Sequence, residues 1–312
     1  MVFSREFPTS IDAALKLAEK LLRQSAWIVS RGDASIRAEA ELIVICAANL
    51  GSRIELYTRA QDRIPDEAGE KVIVWAMARA EGRILQHLTG RQQFLDHLYE
   101  VSPAVLVPRP ETEVLVVTAI ERLLARHPTG PKLGIEIGLG SGCISIELLN
   151  RFPELVVFAS ELSSEAVGVA RRNAEQILGG TGKKPPLERL RILKPKSPEE
   201  VLEPFLARPE LHHAADFLIS NPPYLVSGDV IDPDVAREEP RAALYAPDSD
   251  ALHFYRAMAK GATQLLRPGG QVILETPSFR AVAIEELFRE NGWATTRYRD
   301  MAGEERVVTA EK

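Results

Sequence analysis

The chain has little of what would tie it to an oxidising compartment, a membrane or a nucleic-acid groove. Two cysteines, Cys46 and Cys143, are spread over 312 residues in apolar surroundings. They are too few and too scattered for a disulfide framework or a cysteine metal site. Positive charge is in deficit: 38 Lys and Arg face 44 Asp and Glu, for a formal net charge of −6. A phosphate-binding groove would need Lys and Arg concentrated on one surface, so the balance leaves room for a small basic patch only. No stretch approaches the roughly 18 uncharged apolar residues of a spanning helix. The N-terminal segment MVFSREFPTSIDAALK holds no apolar core of signal-peptide length. Internal repeats and low-complexity tracts are missing too. These absences predict a reduced, soluble, cytoplasmic protein. What is present is an ordinary globular composition, 45% hydrophobic and 26% charged, enough for one large domain or two of usual size.

The first ninety residues carry helical periodicity. SIDAALKLAEKLLRQSA (10–26) spaces its apolar residues for one helix face, with Ser10 placed to cap it. SIRAEAELIVICAANLG (35–51) repeats the pattern and stops at Gly51. SRIELYTRAQDRI (52–64) and PDEAGEKVIVWAMARAEGRILQHL (65–88) follow, the latter opening on Pro65 at a helix start. Short loops between such helices predict a small antiparallel bundle. QQFLDHLYEVSPAVLV (92–107) alternates apolar residues and predicts a β-hairpin or an extended connector. From about residue 111, strand patterns (KLGIEI, LVVFAS, RLRILK, ADFLIS, GGQVILE) alternate with helical ones, and WATTRYRD with ERVVTAE closes the chain as a strand pair. Alternation of this kind predicts a doubly wound, mainly parallel α/β sheet. GGTGKKPP (179–186) reads as a surface loop. The resulting division is a helical bundle over 1–90, a hairpin linker over 91–108 and an α/β domain over 109–312.

Two stretches carry chemistry. In EIGLGSGC (136–143), Gly138, Gly140 and Gly142 follow a short apolar strand and open a helix. Glycines let the backbone turn tightly and approach a ligand, and the helix start adds oriented N–H groups. Glu161 stands at the tip of the next strand, where a carboxylate can accept from ribose hydroxyls. The alternative is a glycine-rich turn that binds nothing. The G-x-G-x-G spacing differs from the dinucleotide fingerprint, so a pyrophosphate is not specifically predicted. S-adenosylmethionine fits better, its ribose meeting Glu161 and its amino-acid end meeting the loop from Glu136 to Gly142.

The second stretch is SNPPYLV (220–226), at the exit of the strand expected beside 132–137. Pro222 and Pro223 each fix φ near −65° and give up an N–H. They form a stiff arm that presents the Asn221 side-chain oxygen and the Pro222 carbonyl oxygen. Two converging acceptors suit an –NH2 group, which has two donors. Tyr224 supplies an aromatic wall. The bland reading of the same residues is a proline-stiffened strand exit.

A methyl-donor loop paired with N-P-P-Y resembles methyltransferases that act on planar amino groups. PRPETE (108–113), with HLTGRQQF (87–94), EEPRAAL (238–244), ALHFYR (251–256) and DMAGEERVV (300–308), is similar to the HemK/PrmC-type release factor N5-glutamine methyltransferases, from about residue 10 to the C-terminus. The resemblance implies a helical N-terminal domain, a hairpin linker and a Rossmann-like class I methyltransferase domain with a mainly parallel seven-stranded sheet. It implies S-adenosylmethionine as cofactor, S-adenosylhomocysteine as product and no metal. It implies class I release factors as partners, with the glutamine of their Gly-Gly-Gln loop as acceptor. On that reading Asn221, Pro222 and Tyr224 are catalytic. Glu136, Gly138, Gly140, Gly142, Glu161 and Asn221 meet the cofactor. Asn221, Pro222, Pro223, Tyr224, Arg109 and Glu111 line the substrate site. Arg109 and Glu113 also fit a salt-bridged helix start. The N-terminal bundle fits a docking surface or a stabilising appendage equally.

The chain departs from the family pattern at Leu139 (usually Thr), Glu161 (usually Asp), Lys196 and Ser197 (usually an acidic residue nearby) and ETPSFR (275–280, usually EIGYGQ). Rival readings are an adenine N6-methyltransferase acting on a flipped base, a ribosomal-protein glutamine methyltransferase, and a divergent paralogue that binds protein without catalysis.

Overall fold

The computed structural model describes residues 7–127, 129–180 and 184–312. Residues 181–183 of the 179–186 loop therefore lie outside the described residues. The chain divides into two compact units. The first takes the chain up to Arg91 together with Asp232–Glu238; the second is Gln92–Ile231 with Glu239–Lys312.

In the first unit, helices Ile11–Leu22, Asp33–Ala47 and Asp66–Ala80 bury a common apolar stripe that includes Leu15, Leu22, Ile36, Ile43 and Val72. Ser10 caps the first helix by accepting from the Ala13 N–H at 3.2 Å. Two helical patterns are shorter than their periodicity suggests. The helix after Ser52 stops at Thr58. The long pattern from Pro65 breaks after Ala80, where Gly82 adopts φ +87°, and resumes as Leu85–Thr89. The short helix Pro233–Glu238 joins this unit through charge. Arg79, which is 4% exposed, pairs with Asp234 at 3.2 Å and with Glu39 at 2.7 Å. Glu238 accepts the Ile84 N–H at 2.8 Å and pairs with Arg83.

The second unit begins within a hairpin of β1 (Arg91–Phe94) and β2 (His97–Glu100), which precedes the helix Pro110–Arg126. The sheet strands are β3 (Leu133–Ile137), β4 (Val156–Ser160), β5 (Leu190–Leu193), β6 (Ala215–Ser220), β7 (Leu266–Glu275), β8 (Ala294–Arg299) and β9 (Glu305–Glu311). They lie in the order β5-β4-β3-β6-β7-β9-β8. The pairs from β5 through β7 are parallel, and β9 runs antiparallel to both its neighbours. Phe217 and Ile219 of β6 face a layer built on helices Pro110–Arg126, Cys143–Arg151 and Ser164–Leu178. Leu218 faces the opposite layer, with helices His253–Leu265 and Ala281–Glu290. Burial on both faces explains why β6 is buried along its whole length and apolar apart from Asp216 and Ser220.

The chain runs outward from β3 to β4 and β5, then returns to β6 on the other side of β3. That reversal opens a crevice beyond the carboxyl ends of the strands. Ile137 is in register with Ser160 on one side and Ser220 on the other. Gly138, Glu161 and Asn221 are thus each the first residue past three adjacent strand ends.

Candidate active site

The crevice is lined by the glycine loop, by Glu161 and Leu162, by Asn221, Pro222 and Pro223, and by walls from Ala104–Pro108 and Pro240–Ala243. Gly138, Gly140 and Gly142 have φ of +79°, +55° and +85°, the left-handed region that side chains disfavour. A Cβ at Gly138 or Gly140 would meet nothing within 4 Å, so the loop leaves a cradle there. A Cβ at Gly142 would come within 2.9 Å of Ile146, so this glycine serves packing. The Gly138 and Leu139 N–H groups donate to the Ser160 carbonyl, which ties the loop to β4. Leu139 turns its side chain into the core, 3% exposed.

Glu161 joins the loop to the next strand tip. Its Oε2 accepts the Gly140 N–H at 2.9 Å and its Oε1 accepts the Ser163 N–H at 2.9 Å. Each oxygen keeps a lone pair for a further donor. Glu136 lies behind the loop, fully buried, with the Ser145 hydroxyl donating to one oxygen. Its other oxygen, Oε1, has no partner. Burial pushes its carboxyl up to about 8 despite the Ser145 hydrogen bond.

Ser220 anchors the proline arm by donating to the Ile137 carbonyl at 2.7 Å. Asn221 Nδ2 donates to Thr112 Oγ1 at 3.1 Å, which leaves Oδ1 as its free acceptor face. Tyr224 does not line the crevice; its ring packs against the core beside β6. Burial, then the Glu275 and Glu111 charges, push its hydroxyl up to about 12, so it stays protonated. Arg109 turns to Glu239 at 2.6 Å. Glu111 sits 3.7 Å from Arg306, and Glu113 accepts the Leu95 N–H at 2.9 Å. Of the residues singled out in the sequence, the crevice brings together Gly138, Gly140, Glu161, Asn221, Pro222 and Pro223. Glu136, Gly142, Tyr224, Arg109 and Glu111 stand behind its surface or beside it.

Three polar residues that support the site escape sequence reasoning. Thr112 orients Asn221. Glu239, its side chain fully buried, accepts from Arg109 and from the Val107 N–H at 3.0 Å. Asn173 donates to the Ser141 carbonyl at 2.9 Å and to the Glu100 carbonyl at 3.0 Å, and accepts the Glu100 N–H at 2.7 Å, so it locks the glycine loop to β2. Its one signal in the sequence was a polar residue on the apolar stripe of Ala166, Val169, Ala170 and Ala174. Among the described residues no group of His, Cys, Asp and Glu is arranged to hold a metal ion.

The open cradle at Gly138 and Gly140 and the strand-tip carboxylate of Glu161 fit a nucleoside-bearing cofactor. No family model matches the chain. The release factor glutamine methyltransferase of Geobacter sulfurreducens is 31% identical over 285 residues, 90% of this chain and 92% of its own. The enzyme of the same name from Moorella thermoacetica is 35% identical over 277 residues, 88% of this chain and 89% of its own. A solved structure, the release factor-specific protein-(glutamine-N5) methyltransferase of Alicyclobacillus acidocaldarius, is 29% identical and covers 69% of this chain and 100% of its own, with a TM-score of 0.37. Extended similarity to the two full-length relatives, over both units, matches what the motifs imply: the chain belongs to the release factor glutamine methyltransferase family.

Proposed function

We propose that this protein methylates the side-chain amide nitrogen of the Gly-Gly-Gln glutamine in class I release factors, with S-adenosylmethionine as donor. The observation that supports the reading is the register of the three strand ends, by which Gly138, Glu161 and Asn221 leave adjacent strands together. Gly138 and Gly140 would admit the cofactor's amino-acid end, with Glu136 behind them, and Glu161 would accept from its ribose. The cofactor supplies an electrophilic methyl group on a sulfonium, and S-adenosylhomocysteine is the product.

The difficulty of the reaction lies in the acceptor, because an amide lone pair is delocalised into its carbonyl. Asn221 Oδ1 and the Pro222 carbonyl oxygen would each accept one N–H of the substrate –NH2. Both bonds strengthen as positive charge develops on that nitrogen, so they favour the transition state over the ground state. The two prolines keep the acceptors in place at no reorganisation cost when the reaction occurs. The N–C bond forms as the S–C bond breaks, and the surplus N–H proton then leaves to solvent. Tyr224 stiffens the arm from the core side. Pro223 shapes its crevice wall, and Arg109 and Glu111 act at its edge. On this reading the bundle over 1–90 would dock the protein substrate, ahead of a linker over 91–108 and a catalytic domain over 109–312. Release factors act in the cytoplasm, so the enzyme would work there.

The test is methylation of a purified class I release factor, read by mass spectrometry of its Gly-Gly-Gln peptide. One added methyl is expected on that glutamine. Asn221→Ala should lower the rate by about a hundredfold or more, the usual loss for a transition-state hydrogen-bond partner, while S-adenosylhomocysteine still binds. An unmodified glutamine with folded wild-type enzyme, or full activity in Asn221→Ala, would overturn the reading.

A further inference from the structure

A glycine-rich acceptor loop gives an enzyme few side chains to hold. The glutamine amide can be met at Asn221 and Pro222, but the glycines beside it offer only backbone N–H and C=O groups. A surface that reads such a segment needs an acceptor and a donor at backbone spacing, close to the crevice. One pair of side chains at the crevice edge has that form.

Arg306 is the second residue of β9, and Glu111 is the second residue of the helix Pro110–Arg126. Ser220 is in register with Leu274, and Glu275 with Val307. Arg306 therefore sits at the edge of the sheet where Asn221 leaves it, two strands away, and its carbonyl accepts the Thr276 N–H at 2.8 Å. Glu111 links the two positions. It immediately precedes Thr112, which lines the crevice and accepts from Asn221. Its Oε1 stands 3.7 Å from Arg306 Nη2, an ion-pair distance too long for a hydrogen bond.

Both groups keep hydrogen-bonding capacity. Arg306 Nε donates to Asp300 at 2.8 Å, and among the described residues Nη1 and Nη2 make no hydrogen bond. The Glu111 carboxylate accepts none among the same residues. The side chains are 22% and 39% exposed, so a ligand can reach them. Asp300 accepts the Ala302 and Glu304 N–H groups at 2.9 and 3.0 Å, which steadies the base of the guanidinium. Arg109, the neighbouring cation, is engaged with Glu239.

We infer that Glu111 and Arg306 grip the backbone of a glycine beside the acceptor glutamine, Glu111 accepting its N–H and Arg306 donating to its C=O. The inference rests on the methyl-transfer reading and adds the means by which a loop poor in side chains is held. An extended residue turns its own N–H and C=O to the same edge, as in the hydrogen-bonded pairs of an antiparallel ladder. A donor and an acceptor 3.7 Å apart match that edge. Charge on both protein groups makes these bonds stronger than neutral ones. Glycine suits the grip because no Cβ limits the approach of its backbone.

The test is steady-state methylation of a full-length class I release factor by wild type, Arg306→Met, Glu111→Leu and Asp300→Ala, with S-adenosylhomocysteine calorimetry and thermal unfolding on each. Arg306→Met and Glu111→Leu should each raise KM for the release factor by about tenfold or more, the worth of a hydrogen bond to a charged group. Their kcat should fall far less, because a backbone grip is felt equally in the ground and transition states. Cofactor affinity should hold. Asp300→Ala, which loosens the loop but keeps both gripping groups, should raise KM less than either. If Arg306→Met does not fold, Glu111→Leu decides. Wild-type KM in the gripping variants, or a rise in Asp300→Ala as large as theirs, overturns the grip alone. A wild type that leaves the glutamine unmodified overturns the underlying reading as well.

Discussion

Arg109 Nη2 donates to Glu239 Oε2 at 2.6 Å, while Glu239 Oε1 accepts the Val107 N–H at 3.0 Å. One buried carboxylate thus ties the stretch before the helix Pro110–Arg126 to the stretch that begins at Pro240. Both stretches form crevice walls. Arg109→Ala removes this ion pair from the buried carboxylate. A fully buried partner would be worth about 3–5 kcal/mol. Arg109 is 35% exposed, so we expect about 2 kcal/mol after solvent screening. The shift in the urea unfolding midpoint measures it.

The glycine loop separates two kinds of cost. Gly138→Ala and Gly140→Ala meet no neighbouring atom, but each forces a side chain into the left-handed region at about 1–2 kcal/mol and fills the cradle. Both should weaken S-adenosylhomocysteine binding by more than they lower stability. Gly142→Ala should do the reverse, because its Cβ presses on Ile146 rather than on the crevice. Calorimetry beside thermal unfolding distinguishes the two patterns.

Glu161→Ala removes the acceptor for the Gly140 and Ser163 N–H groups and, on the proposed reading, for the cofactor ribose. Hydrogen bonds to a charged group are worth about 1.5–3 kcal/mol. The dissociation constant for S-adenosylhomocysteine should rise accordingly, by about tenfold to a hundredfold. Glu161→Asp should recover part of the loss where the shorter side chain still reaches the ribose.

Glu136 predicts an unusual pH dependence of stability. Its folded value, about 8, lies above the ordinary carboxyl value of 4.5. Between those values the folded state holds a proton that the unfolded chain releases, so stability falls as pH rises through the window. Glu275, raised to about 7, contributes in the same direction. Glu136→Gln should flatten the fall of the ligand-free protein from pH 5 to pH 8, leaving the smaller Glu275 contribution. A slope unchanged by the substitution would show that Glu136 does not hold the proton.

Much of the site was legible because its signals are local. Gly138, Gly140 and Gly142 announce a turn that only glycine adopts freely, and Pro222 with Pro223 announce a stiff strand exit. Strand–helix alternation then implied a parallel sheet with its ligands beyond the carboxyl ends. PRPETE was legible as a signature, but not in its working parts. Its charged residues Arg109 and Glu111 stand beside the crevice, whereas Thr112 lines it, and the partner of Thr112, Asn221, is 109 residues away.

Periodicity, glycine and proline by themselves determined the α/β class, the glycine loop and the position of Asn221 at a strand exit, because each depends on backbone preferences within a few residues. Tertiary structure alone decided which end of the Asn221 amide faces the crevice and which carboxyls lose water. Those outcomes depend on hydrogen bonds and burial among Thr112, Asn221, Glu239 and Glu275, groups brought together only when the sheet closes under its helices.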